Sequence, residues 1–174
     1  MAWLDKLNGN YSLETANSKN NIITLLNERI ENAKKDSSWF TFKTINYEKF
    51  VLEGDLVTIS RAPTMFTPYA GYGTISINFS TNKNTTVINA QVIPYGEMRA
   101  IVIGFVLFFL IMFSGFIWLT TYGSTRYSII AIAWIVPYGF LFLGMLYYKH
   151  KLKTYLKKVL EDLNIEGNLS STTH

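Results

Sequence analysis

The sequence has no cysteine and only two histidines, His150 and His174. Disulfides, zinc–thiolate sites and thiol nucleophiles are therefore excluded, and cysteine usage indicates no redox compartment. Metal-ligand spacings are also missing, and Gly71-Tyr72-Gly73 lacks the helix and the lysine that a phosphate-binding glycine loop needs. The pattern predicts a protein without catalytic residues, metal or cofactor.

Charge is scarce between residues 100 and 148, where Asp, Glu and Lys do not occur and Arg126 is the only charged residue. Two long apolar segments, at residues 100–123 and 127–148, fill this region. A helix rises ~1.5 Å per residue and the hydrocarbon core of a bilayer is ~30 Å thick, so about 20 apolar residues suffice to cross it. We expect a transmembrane helical hairpin at residues 97–148, with helices at about 99–122 and 127–148, embedded in the lipid bilayer.

Positive charge is concentrated at the flanks of these segments. Residues 1–97 contain nine Lys or Arg and nine Asp or Glu, so the net charge of +4 arises beyond them. Five lysines and Arg99 flank one end of the hairpin, against Arg126 alone at the other, which predicts that both termini are cytoplasmic. This placement explains the basic balance better than nucleic-acid binding, which we do not expect. The five lysines are Lys149, Lys151, Lys153, Lys157 and Lys158. Trp118 and Tyr122 are predicted to belong to the outer aromatic belt.

The soluble part, residues 21–96, has the pattern of an α+β domain. Apolar residues from Ile22 to Ala33 recur at steps of three and four, which predicts a helix. From residue 38 to 93 the period is two and β-branched and aromatic residues dominate, which predicts four or five antiparallel strands covered by that helix. The strands are expected at residues 39–42, 50–52, 56–60, 74–79 and 86–93. Glu53-Gly54-Asp55 has the composition of a tight hairpin turn.

The two ends of the chain are predicted as follows. Residues 1–20 form an N-terminal segment and a linker, since residues 8–21 are rich in turn formers. Asp5 and Lys6 interrupt any signal peptide, so the N-terminal domain is expected to stay on the side where it is made. Residues 149–166 continue the second membrane helix as a basic amphipathic helix whose apolar stripe docks on the soluble domain or a second subunit, in preference to anionic lipid. Residues 167–174 are expected to be disordered.

The connection at residues 62–73 contains two prolines, two glycines and four large side chains. These are Met65, Phe66, Tyr69 and Tyr72. They are expected either to cap the open end of the sheet, or to contact lipid headgroups, a partner or a ligand. With Trp118, Tyr122 and the five lysines, they are the candidate residues for membrane or partner contact.

The order of parts carries a loose resemblance. The strand Leu56-Val57-Thr58-Ile59-Ser60-Arg61, the aromatic-proline loop ending in Gly71-Tyr72-Gly73, a further strand pair and two membrane helices follow one another. Residues 48–148 thus resemble small uncharacterised bacterial membrane proteins with a β-rich cytoplasmic domain on a helical hairpin. Pro68-Tyr69-Ala70 departs from their more apolar stretch. The resemblance implies a bacterial inner membrane and brings no activity with it.

Three functions remain open from the sequence. The first is a non-enzymatic subunit or accessory component of a membrane complex, with other membrane-protein subunits or further copies of itself as partners. The second is an oligomeric membrane effector whose soluble domain senses a ligand and whose hairpins perturb the bilayer. The third is an enzyme that acts on lipid headgroups, with Glu53 and Asp55 as its best candidates.

Overall fold

The computed structural model describes residues 7–35, 45–61, 72–82, 85–96, 98–165, 167 and 169–171. Over these residues the chain forms three α-helices, one 3-10 turn and an antiparallel sheet of six strands. The helices are α1 Lys19–Lys35, α2 Met98–Thr120 and α3 Thr125–Asp162, and the 3-10 turn is Tyr47–Lys49. The strands are β1 Gly9–Thr15, β2 Phe50–Glu53, β3 Leu56–Arg61, β4 Gly73–Asn82, β5 Thr85–Pro94 and β6 Ser170–Ser171.

The strand order is β2-β3-β4-β5-β1-β6. The predicted strands at residues 50–52, 56–60, 74–79 and 86–93 are confirmed, and the one at 39–42 lies outside the described residues. β2 and β3 are joined by a two-residue turn in which Gly54 has a φ of 61°, as the hairpin composition predicted. In β4 the residues Ile75, Ile77 and Phe79 are buried, while the residues between them are half-buried or exposed. One face of the sheet is therefore the core face.

The prediction of a linker at residues 1–20 is wrong for residues 9–15, which form β1. This strand pairs with β5 along its whole length, from Gly9 opposite Val92 to Thr15 opposite Thr86. Tyr11 and Leu13 point into the core. Two apolar residues are too few to show period two in the sequence, and pairing with a ten-residue neighbour overrides weak local propensity.

The disordered tail predicted at residues 167–174 is wrong at Ser170 and Ser171. These residues form β6 against Tyr11 and Ser12, and the Ser170 hydroxyl donates a hydrogen bond of 2.9 Å to the Ser12 carbonyl. The sheet consequently has six strands in place of the four or five expected. Residues 172–174 lie outside the described part of the chain.

The core lies between the inner face of the sheet and two helices. α1 buries Ile22, Leu26, Ile30 and Ala33, the stripe that its spacing predicted. The second half of α3 lies across β4 and β5. Its six stripe residues are all buried in the same core cluster, so the prediction that the basic helix docks on protein is confirmed. They are Leu152, Tyr155, Leu156, Val159, Leu160 and Leu163.

α3 is a single helix of 38 residues that runs through Pro137 without interruption. It joins the predicted membrane helix at 127–148 and the predicted basic helix at 149–166, and it ends at Asp162. The helix that organises the core of the sheet is therefore the same helix that carries the second apolar segment.

α2 and the first half of α3 are long and apolar enough to cross a membrane. Their side chains are mostly exposed, for example Phe105 at 61 %, Phe140 at 72 % and Leu119 at 79 %. A helix that belongs to the core of a soluble protein would bury such residues, and an exposed apolar surface of this extent indicates contact with lipid or with another protein.

Candidate functional site: the junction between the sheet and the apolar helices

The sheet and α2 are joined by a tight turn at Tyr95 and Gly96. Both residues have positive φ, 62° and 52°. The Tyr95 amide donates to the Tyr72 carbonyl at 2.9 Å, and the Gly96 amide donates to the Ile93 carbonyl at 3.1 Å. A positive φ at a residue with a side chain costs roughly 1–3 kcal/mol and persists only where the surroundings hold it. The turn that follows β5 is therefore held by one hydrogen bond to Tyr72 and one to β5 itself.

Three tyrosines from three parts of the chain meet beside this turn. The ring centroids of Tyr72 and Tyr95 are 5.5 Å apart, those of Tyr95 and Tyr148 are 5.3 Å apart, and those of Tyr72 and Tyr148 are 6.3 Å apart, all edge to face. Gly144 makes room for them, because a Cβ there would lie 2.7 Å from the Tyr95 hydroxyl. Edge-to-face pairs contribute ~0.5–1.5 kcal/mol each beyond area burial. Tyr72, predicted as a contact residue, directly precedes β4 and packs against Tyr148 of α3.

The start of β1 is attached to the same region. Leu7 packs with Met145 of α3 and Ile103 of α2, beside an apolar cleft of about 230 Å³. The Lys149 ammonium donates a hydrogen bond of 3.0 Å to the Asn8 carbonyl. Lys149 was predicted as a membrane-flanking charge, and its ammonium is directed at the backbone of the sheet domain.

A polar cluster anchors the far end of α3. The Tyr47 hydroxyl donates to the Asp162 carboxylate at 2.6 Å, and Arg29 of α1 lies 3.7 Å from the same oxygen. Burial raises the pKa of Tyr47, and the hydrogen bond to the Asp162 carboxylate raises it further. The Arg61 guanidinium stacks on the ring of Tyr155, 3.8 Å from its centroid. The pKa of Tyr155 is also raised by burial. α3 is thus held to α1, β3 and the 3-10 turn.

The other predicted lysines point in different directions around α3. Lys151 lies over the Tyr147 ring at 5.4 Å and Lys153 lies over the Tyr11 ring at 5.1 Å. Lys157 is 3.7 Å from Glu161 in an exposed pair, and Lys158 is half-buried. The five lysines therefore form no single patch.

The aromatic residues predicted for the outer belt lie at the turn between α2 and α3. The Arg126 guanidinium lies 4.0 Å from the ring centroid of Trp118 and 5.0 Å from that of Tyr127. Tyr122 is 87 % exposed. Met65, Phe66 and Tyr69, the remaining predicted contact residues, lie outside the described residues.

Few polar groups join the two apolar helices. The Trp134 indole donates to the Ser114 hydroxyl at 2.8 Å, and that hydroxyl donates to the Leu110 carbonyl at 2.7 Å. Gly104, Gly115 and Gly139 do not serve this contact, because a Cβ at any of them would meet nothing within 4 Å. These glycines lie on surfaces that a neighbouring helix can approach closely.

The described residues contain no group of three or more His, Asp or Glu side chains placed to hold a metal ion. Asp55, a candidate of the enzyme hypothesis, forms an ion pair with Lys19, and its carbonyl accepts from the Phe79 amide at 3.1 Å. Comparisons with protein-family models, curated proteins and solved structures find no match to this chain. What the protein does is therefore inferred from its own residues and their geometry.

Proposed function

We propose that this chain is an integral membrane protein of a bacterial inner membrane that acts, without catalysis, as a subunit or accessory component of a membrane complex. The observation that carries the proposal is the exposed apolar surface of α2 and the first half of α3. Within their apolar spans only Leu110, Ile117 and Met145 are buried, so the surface of each helix that faces away from the other is open to lipid or to other helices.

The apolar helices lack charged side chains within their spans, which favours a role in packing against other membrane helices over a role in transport of ions or solutes. Between residues 100 and 148 the only charged side chain is Arg126, at the turn between the helices. Proton relays and ion pathways need charged or titratable groups inside the membrane. Two helices also cannot enclose a pore without further subunits. A surface of large apolar residues interrupted by Gly104 and Gly115 suits close contact with other membrane helices.

Co-purification tests this proposal. The tagged protein, expressed in its source cells and extracted in mild detergent, should elute with a partner or as an oligomer, measured by light scattering and mass spectrometry. Gly115→Leu fills open space on α2 and should weaken that assembly at least about threefold while the fold is unchanged. Lys34→Ala, at an exposed position of α1 away from the apolar helices, is the control. A lone monomer in native extracts would contradict the proposal.

The proposed orientation places both termini in the cytoplasm, because five lysines follow the second apolar segment and Arg126 alone lies at the turn. The chain has no cysteine, so single-cysteine variants report position without background. An impermeant maleimide should label Ser124→Cys on spheroplasts and label Lys35→Cys only after lysis. The reverse pattern would overturn the orientation.

A second function is favoured by the continuity of α3. The same helix crosses from the apolar segment into the core of the sheet domain. A ligand that shifted the sheet would therefore move the second apolar helix, as an oligomeric effector that perturbs the bilayer requires. Expression in cells loaded with a membrane-potential dye tests this alternative, and an unchanged potential across ligand conditions would remove it.

A further inference from the structure

A groove of about 670 Å³ runs along α3 just beyond the apolar segment. One wall is a face of α3 that carries His150, Lys153, Thr154 and Lys157. These residues are spaced by three, one and three positions, which places them on one side of a helix. Leu160, which is buried, borders the groove below them. The groove thus combines two ammonium groups and the Glu161 carboxylate with an apolar border. The Thr154 hydroxyl donates to the His150 carbonyl at 3.1 Å.

The opposite wall is formed by four described residues that follow α3, and their neighbours hold them in place. They are Asn164, Ile165, Gly167 and Leu169. Asn164 has a φ of 54°, its carbonyl accepts from the Asn17 amide group at 3.0 Å, and the Ile165 amide donates back to the Leu160 carbonyl at 2.9 Å. Gly167 lies so close to Leu13 that a Cβ would approach its side chain to 2.6 Å. Beyond Leu169 the chain pairs with β1 as β6. Both walls of the groove are therefore built into the fold.

We infer that this groove binds the phosphate-bearing headgroup of an anionic phospholipid. The inference rests on the proposed membrane placement. The apolar segment of α3 ends near Tyr148, and Lys153 is five residues further, about 8 Å along the helix. The headgroup layer of a bilayer is roughly 5–8 Å deep, so the backbone of His150 and Lys153 lies at the level of the phosphates. Lys157 is nine residues beyond Tyr148, about 14 Å along the helix, and lies on the water side of that layer.

The net positive charge of the groove favours binding of an anion, but it is small. Among the described residues that line the groove, Lys153 and Lys157 contribute two positive charges, and Glu161, which lies 3.7 Å from Lys157, contributes one negative charge. Ammonium groups form strong charge-assisted hydrogen bonds with phosphate oxygens. A bound phosphodiester would compete with Glu161 for Lys157. Removal of the Glu161 charge should therefore tighten binding of the phospholipid. A variant that merely disturbed the fold would weaken binding instead.

The same helix supplies a matched control. Lys151 and Lys158 do not line the groove, although they occur at nearly the same depth as Lys153 and Lys157. A general attraction of lysines to an anionic surface predicts equal effects for the two pairs, since each Lys near such a surface contributes to a similar extent. If the headgroup binds in the groove, replacement of Lys153 and Lys157 should weaken binding more than replacement of Lys151 and Lys158.

The test measures binding of phosphatidylglycerol to the purified full chain in neutral detergent by native mass spectrometry. Lys153→Gln with Lys157→Gln should weaken the first bound phosphatidylglycerol roughly tenfold. Lys151→Gln with Lys158→Gln should change it less than about threefold, and Glu161→Gln should tighten it. Phosphatidylcholine, which has the same phosphodiester but no net charge, should bind more weakly than phosphatidylglycerol and respond less to each of these changes.

Equal losses for the two lysine pairs, or no tightening with Glu161→Gln, would overturn the groove as a site. Inorganic phosphate that displaces phosphatidylglycerol at similar concentrations would assign the groove to a soluble anion and overturn the lipid source. Insertion of the chain into phosphatidylcholine nanodiscs is measured separately. Failure to insert would refute the membrane placement, whereas insertion without preference for phosphatidylglycerol would refute the lipid site alone.

Discussion

Tyr155 and Tyr47 form the hydrogen bond and the cation–π contact that fasten the C-terminal end of α3 to the sheet domain, in addition to its apolar stripe. The sequence placed Tyr155 in an apolar stripe, and it is buried there, but nothing in the sequence indicated its stacking with Arg61. Tyr47 is bonded to Asp162, which is 115 residues away in the chain. Contacts between single polar residues at such separation leave no periodic signal, so they become visible only in the fold.

Tyr47 should make stability depend on alkaline pH. Its folded pKa is raised above the ordinary value of 10.0, so the folded state holds the phenol proton more tightly than the unfolded state. The resulting stability is complete below pH 10 and is lost as the pH rises above it. Tyr47→Phe should lower the free energy of unfolding by about 1 kcal/mol at neutral pH, through loss of the hydrogen bond to Asp162.

The difference between Tyr47→Phe and the parent protein should then shrink above pH 10, because the variant has no phenol to ionise on unfolding. Thermal unfolding in detergent between pH 8 and pH 11 is the measurement. Tyr122→Phe, at an exposed position, serves as the control. It should change neither the free energy of unfolding at neutral pH nor its dependence on pH above 10. A difference that stays constant across this range would refute the coupling.

Gly144 and Gly139 form a matched pair on α3. Ala at Gly144 places a methyl group 2.7 Å from the Tyr95 hydroxyl, whereas Ala at Gly139 meets nothing within 4 Å. Gly144→Ala should therefore cost about 1–3 kcal/mol of stability, since the Tyr95 ring is held by Tyr72 and Tyr148. Gly139→Ala should be neutral or stabilising. Near-ultraviolet circular dichroism during thermal unfolding checks both, and equal midpoints would contradict the packing at the junction.

Among the elements, those with strong periodicity could be predicted from the sequence and those defined by their partners could not. α1, β3, β4, β5 and the two apolar helices each show several apolar residues at regular steps, and the structure has them near the expected bounds. β1 and β6 present two apolar residues and none, respectively. Their strand conformation comes from pairing with β5 and with β1. Edge and near-edge strands of this kind depend on tertiary context.

The second half of α3 contributes its apolar stripe to the core of the sheet domain. Leu156 of α3 is fully buried in the core, so Leu156→Ala should cost ~2–5 kcal/mol of the free energy of unfolding. Leu143→Ala removes the same atoms from an exposed position in the apolar half and should cost much less. Pulse proteolysis over a urea series measures the stability of the sheet domain. Similar losses for both variants would contradict the role of α3 in the core.

At the scale of the whole molecule, two rigid connections link the sheet to the apolar helices. One is the turn at Tyr95 and Gly96, whose amides donate to the carbonyls of Tyr72 and Ile93. The other is α3, which has no break between its apolar half and its buried stripe. We therefore expect the sheet and the hairpin to move as one body, whether the protein assembles with partners or transmits a ligand signal. The sequence predicted the order of these parts and the short junction, but not the tyrosine cluster that closes it.

Hydrogen exchange across α3, measured in phosphatidylcholine nanodiscs, tests this central claim most directly. A continuous α3 should show slow exchange of backbone amides from Phe140 through Leu160, with no break where the apolar half meets the core half at residues 147–151. A fast-exchanging stretch at residues 147–151 would show two helices joined by a hinge and would contradict the single-body account.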